Sequence, residues 1–142
     1  KVASKHGQRH PELFKIFELF GEVREEMEMH MQKEEKILFP RIAEIEKLLN
    51  NNAGLHVNKT FIAAPVSVME QEHDHAGSMM AEIRELSNNY TPPSDACTTY
   101  QLSFAALEAF EKDLHRHVHL ENNILFPKAL HLFEVPGEPS LN

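Results

Sequence analysis

The chain is 142 residues long, 42% hydrophobic and 25% charged, with a formal charge of −8, which suits one globular domain built on one core. The acidic balance argues against a nucleic-acid surface, which needs a basic stripe; no apolar run reaches the ~18 residues of a membrane span, and no signal peptide opens the chain. The single cysteine, Cys97, excludes an internal disulfide or a cysteine-held cluster, and the anomaly is ten histidines.

Residues 1–10 are short and polar. A periodic segment follows from Pro11 to about Asn50, with the apolar stripe Leu13, Ile16, Phe20, Val23, Met27, His30, Glu34, Ile37. The stretch "NNNAGLHVNKTFIAAP" reads as a loop. A second periodic segment runs from Pro65 to about Asn89, with Val66, Met69, His73, Ala76, Met80 and Ile83 in phase. Pro11 and Pro65 are expected in first helical turns. Two prolines in "NNYTPPSDAC" break the chain again. The third segment, from about Thr98 to Phe133, carries Leu107, Phe110, Leu114, His117, Glu121 and Ile124; the tail "EVPGEPSLN" should fray. No stretch alternates with period two, so an all-α helix bundle is expected.

Each stripe is the buried seam of a helix, yet each has ionisable residues in its middle. Burying a lone carboxylate costs several kcal/mol, so these groups need a shared partner. The phrases "HMQKEEKILFP" and "HVHLENNILFP" repeat at a constant offset of 87 residues, which pairs His30 with His117 and Glu34 with Glu121. Residues four apart share a helix face. Two such helices related by a pseudo-twofold axis bring two imidazoles and two carboxylates together, and His73 adds a nitrogen from a third. Each glutamate could bridge two metals. Oxygen and nitrogen donors without thiolate suit iron, manganese or zinc. His10, His56, His75, His115, His119 and His131 fall off the seams and read as surface residues. Pro40 and Pro127 should kink or end each helix just past the site. One turn before each repeated histidine stands an acid, Glu26 before His30 and Asp113 before His117, and Glu72 precedes His73. Such carboxylates could orient the imidazoles or line an acidic path for iron.

The phrases "KHGQRHPEL", "HMQKEEKILFP", "PVSVMEQEHDHAG", "NNYTPPSDACTTY" and "HVHLENNILFPKAL" together resemble the hemerythrin-like domain of the iron-sulfur cluster repair di-iron proteins, bacterial proteins made under nitrosative and oxidative stress. The resemblance implies a hemerythrin-like up-down bundle over residues 1–142, and a cytoplasmic protein repairing damaged iron-sulfur clients. It implies two iron ions with an oxo or hydroxo bridge, held by His30, Glu34, His73, His117 and Glu121, with nitric oxide or oxygen as small ligands. His6 matches a histidine associated with the site, as ligand or neighbour. The family's first helix is largely missing: the chain begins at "KVASKHG", without an initiating Met, as a piece of a longer protein would. An uncovered seam of Leu13, Phe20, Leu107 and Phe110 is then expected, and with it a homodimer. Oxygen-carrying hemerythrins are similar but place a second histidine one turn after the one matching His73. Here that position is Gly77, so repair by iron donation or nitric oxide chemistry is favoured over oxygen or nitric oxide binding and sensing.

Overall fold

The computed structural model describes residues 2–51 and 58–133. Helix α1 spans Val2–His6, α2 Glu12–Lys33, α3 Phe39–Asn50, α4 Thr60–Leu86, α5 Thr98–Leu120 and α6 Phe126–His131. One π-helical turn, Glu34–Leu38, joins α2 to α3, and a second, Glu121–Leu125, joins α5 to α6. The described residues therefore form three long rods and one short helix, with no strand among them. The start of α4 meets α3 and α6, and its later turns meet α2 and α5, so successive rods run antiparallel. The frayed tail expected at residues 134–142, and His56 with the middle of the first loop, lie outside the described residues.

The prolines act differently from the expected kink. Pro40 and Pro127 each stand second in the helix after a π-turn. A proline ring would strike the carbonyl four residues back and offers no N–H. The widened turn relieves that clash: the Phe39 N–H donates to Glu34 O, and the Phe126 N–H donates to Glu121 O. The rod continues, but its phase slips by about one residue. Ile37 and Ile124, placed in the seam by simple periodicity, instead turn outward at 43% and 42% exposure. Leu38 is fully buried in place of Ile37. The wide turns open at the two glutamates, where they do most to set side-chain direction.

Pro65 is a second correction. It lies inside α4, which starts five residues earlier at Thr60, so "TFIAA" belongs to the helix rather than the loop. The missing Pro65 N–H would leave the Phe61 carbonyl open. Arg41 fills that role, donating from Nη1 to Phe61 O at 2.9 Å while its guanidinium lies 4.7 Å above the Phe61 ring. The contact pins α4 to α3 beside the prolines.

The apolar interior falls into two clusters. One contains Val2, Leu13, Ile16, Val23, Met80, Ile83, Tyr100, Phe104, Leu107 and Leu114. The other contains Leu38, Ile42, Ile45, Ile62, Val66, Met69, Phe126 and Ala129. On all three rods the polar residues of the seams fall between them, so the polar layer is sealed above and below. The expected uncovered seam is not found: Leu13 and Leu107 are buried, and Phe20 and Phe110 are half-buried and meet edge to face at 5.1 Å. Helix α1 packs on α2 and α5 there, contributing Val2 and Ala3 to the cluster. The reason given for a homodimer thus fails.

Tyr90 closes the α4–α5 connection. Asn88, Asn89 and Tyr90 take φ of 51°, 58° and 60°, a left-handed run uncommon for non-glycine residues. The run is held by the Tyr90 N–H donating to Ser87 Oγ at 3.0 Å and by the Tyr90 hydroxyl donating to Glu111 at 2.9 Å. Arg84 donates to the other oxygen of the buried Glu111 at 3.0 Å. Burial and the Glu111 carboxylate push the Tyr90 phenol well above its usual range.

Candidate metal centre

His30, Glu34, His73, His117 and Glu121 each bring one ligand atom into a group whose members all lie within 4.8 Å of one another. Four of the five are buried and His117 is half-buried. The sequence phase brings them together: His30 and Glu34 lie on one face of the first rod, His117 and Glu121 on the third, and His73 reaches across from α4.

The local distances define what the layer can hold. His30 Nε2 lies 2.8 Å from Glu34 Oε1 and 3.6 Å from Glu121 Oε1. His73 Nε2 lies 2.9 Å from Glu121 Oε1 and 3.1 Å from His30 Nε2. His117 Nε2 lies 2.5 Å from Glu121 Oε1 and 3.8 Å from Glu34 Oε1. The outer nitrogens are spoken for on two rings: His30 Nδ1 donates to Glu72 Oε1 at 2.9 Å, and His73 Nδ1 donates to Asn122 Oδ1 at 2.9 Å. Those bonds turn the Nε2 lone pairs inward, against each other and against carboxylate oxygens. Electron pairs that converge without protons repel, and Glu34 Oε1 and His117 Nε2 are buried with no hydrogen-bond partner. Such a set of inward-facing donors is one that a cation at the centre, shared protons or a metal ion, neutralises.

Protons show the same demand. Burial alone would lower the His30 imidazolium pKa, but Glu121, Glu34 and Glu72 outweigh it and raise it to about 10. Burial raises Glu34, and the neighbouring Glu121 adds to the rise against the pull of His30. Burial would raise Glu121 too, but His30 and His73 hold it well below the carboxylate range. Burial likewise opposes the ionised Glu72, and Lys33 and His30 bring its pKa below the usual value. A divalent cation would replace these protons and be neutralised by two carboxylates in a dry layer. All-nitrogen-and-oxygen donors of this kind fit iron, manganese or zinc.

The other predicted positions go elsewhere. His6 does not join the group; its Nε2 lies 3.2 Å from Cys97 Sγ, and its ring packs against Tyr100 at 4.9 Å. Helix α1 ends there, at the far cluster, so the chain path keeps it from the polar layer. Glu26 faces His75 at 2.8 Å on the surface rather than His30. Asp113 stands exposed on α5. Glu72 does meet an imidazole, but that of His30 across the α2–α4 contact, not its neighbour His73. His10, expected on the surface, is half-buried and bonded to Asp95 at 2.9 Å. His75, His115, His119 and His131 are exposed.

Periodicity missed two partners. Lys33 binds the second oxygen of Glu72, and Asn122 holds His73. Asn122 had a signal: it stands 87 residues after Glu35, where the repeat changes residue type. Gly77 borders a groove of about 590 Å³ between α4 and α5, where an added Cβ would meet nothing within 4 Å.

A bundle with histidines and glutamates converging between two apolar clusters is a cation-binding helical domain. The chain matches the Hemerythrin HHE cation binding domain over residues 1–129, and it belongs to that family. It is 44% identical over 108 residues to the iron-sulfur cluster repair protein YtfE of Musicola paradisiaca, covering 76% of this chain and 43% of that one. It is 38% identical over 130 residues to a probable iron-sulfur cluster repair protein of Haemophilus influenzae, covering 92% and 53%. The YtfE of Escherichia coli O81 is 43% identical over 108 residues, covering 76% and 44%. The chain thus spans about half the length of the curated relatives it matches, or less.

Proposed function

We propose that this domain holds iron in the five-residue cluster and serves the repair of iron-sulfur clusters damaged by nitric oxide or oxidative stress. The single observation that carries the reading is the convergence of five donor atoms within 4.8 Å, two of them buried without a hydrogen-bond partner. The relatives named for cluster repair supply the reaction class. His30, His73 and His117 would supply nitrogen, and Glu34 and Glu121 oxygen. Two irons, with an oxo or hydroxo bridge, would be reached if each glutamate used both oxygens as a bridge. Bound iron would be both resident charge and cargo, passed to a damaged client protein in the cytoplasm.

The chain's own residues do definite work in that scheme. Glu72 and Asn122 fix two imidazoles in the tautomer that presents Nε2. The two apolar clusters exclude water from both sides. Gly77 leaves one side of α4 open beside His73. That opening also favours a second reading, oxygen or nitric oxide binding for sensing. Iron-loaded protein mixed with an apo or nitric oxide-damaged [4Fe–4S] protein separates the two. Repair predicts regrowth of cluster absorbance with matching loss of iron from this domain, abolished in Glu121→Ala. Binding or sensing predicts a changed spectrum with iron retained.

A further inference from the structure

The three imidazoles of the cluster are held unequally. His30 gives its outer N–H to Glu72, which Lys33 grips from the other side. His73 gives its outer N–H to Asn122, and its ring stacks on Phe126 with centroids 6.0 Å apart and planes 7° from parallel. Among the described residues no side chain or carbonyl meets the outer nitrogen of His117. Its side chain is 35% exposed, against 0% for His30 and His73. A separate groove beside Gly77, lined by His73, Leu114, Val118 and Asn123, does not include His117.

We propose that His117 is the releasable ligand of the centre, and that Asn122 and the Glu72–Lys33 pair are positioning groups that keep His73 and His30 in place. The proposal rests on the reading of the cluster as an iron site. An imidazole bonded through its outer N–H cannot swing away without breaking that bond, and His73 would also lose its stack on Phe126. His117 carries no such restraint, because water already meets its outer side. An ion can therefore exchange, or a small ligand approach, from the exposed side of His117 with the other four residues still in contact. The 87-residue repeat hides this asymmetry, since it writes His30 and His117 into the same phrase.

Cobalt(II) is a suitable probe, because it takes the same donors and shifts the imidazole N–H protons far outside the diamagnetic range. Proton spectra of the cobalt-loaded protein in water and deuterium oxide should show two N–H signals that persist and one that exchanges rapidly. Asn122→Ala should lower cobalt affinity about 10–100-fold and make a second N–H labile. Asn122→Asp, which keeps the acceptor oxygen, should restore both. His117→Ala should retain the ion with a smaller affinity loss than His73→Ala, and release it to a chelator faster than the parent. Equal protection of all three N–H protons would overturn the proposal, as would equal losses in His117→Ala and His73→Ala, or an Asn122→Ala variant with parental affinity. Failure of the parent chain to bind cobalt at all would overturn the iron-site reading with it, a result distinct from bound cobalt with symmetric imidazoles.

Discussion

The two copies of the repeated phrase differ in their settings. In the first, His30 is sealed, Leu38 is fully buried, and Phe39 is 39% exposed. In the second, His117 reaches the surface, Leu125 is half-buried, and Phe126 is 1% exposed against the ring of His73. The same residues therefore do different work because their neighbours differ. The first rod packs on α4 along most of its length and presses its imidazole against Glu72. The third contacts α4 less extensively and leaves the groove beside Gly77. A sequence repeat gives a pseudo-twofold set of donors, while packing decides which half is rigid.

The largest expected effect is at the glutamates, where the halves should behave alike. Glu34→Ala and Glu121→Ala should each lose roughly half or more of the bound metal, because each removes a buried charge that neutralises the ion, worth ~3–5 kcal/mol when broken singly. Metal content by elemental analysis checks this, and a variant that keeps the parental content and spectrum would break the assignment. The phenylalanines should separate the halves. Phe126→Ala should cost ~3–5 kcal/mol in denaturant unfolding, the usual figure for a buried phenylalanine. Phe39→Ala should cost ~1 kcal/mol or less, since much of that ring is already in water. Equal costs would mean the two settings are more alike than their burial indicates.

Proton competition sharpens the first half further. In the metal-free protein the neighbouring carboxylates raise the folded His30 pKa to about 10, above its ordinary 6.5. That contact stabilises the metal-free fold fully below pH 6.5, and the stabilisation is lost as pH rises through about 10. A metal ion needs the neutral ring, so metal affinity should keep climbing between pH 6.5 and 10 instead of levelling off above 6.5. The rise in melting temperature on metal addition, measured across that range, reads both effects. A metal-induced shift that is flat above pH 7 would show that His30 carries no extra proton. The smallest effect is at the repeated acids. Glu26→Ala and Asp113→Ala should each change stability by ~0.5 kcal/mol or less and leave metal loading intact, because neither carboxylate meets a cluster imidazole.

The convergence of the five side chains was legible because burying two carboxylates and three histidines in apolar seams has few physical solutions. A constant offset of 87 residues placed them at one depth. The π-turns were not read, although a cue was in view: Pro40 and Pro127 each crowd the carbonyl four residues back, and where the turn widens to relieve this a fixed helical period misplaces Ile37 and Ile124. Pro65 inside α4 depended on Arg41, a donor twenty residues away that no local rule connects to Phe61. The partners of Glu26 and Glu72 depended on which helices touch, so a pattern along one helix assigned Glu26 to the wrong histidine. The placement of His6 beside Cys97 was not legible, because a matching phrase cannot say where a short helix ends in space.

The central claim is that three imidazoles and two carboxylates, and no thiolate, hold the metal. Iron K-edge X-ray absorption of the iron-loaded chain tests it most directly, with His73→Ala and Cys97→Ser beside the parent. The account predicts a nitrogen and oxygen shell with imidazole scattering that weakens in His73→Ala and is unchanged in Cys97→Ser. A sulfur shell lost in Cys97→Ser, or a spectrum indifferent to His73, would contradict it.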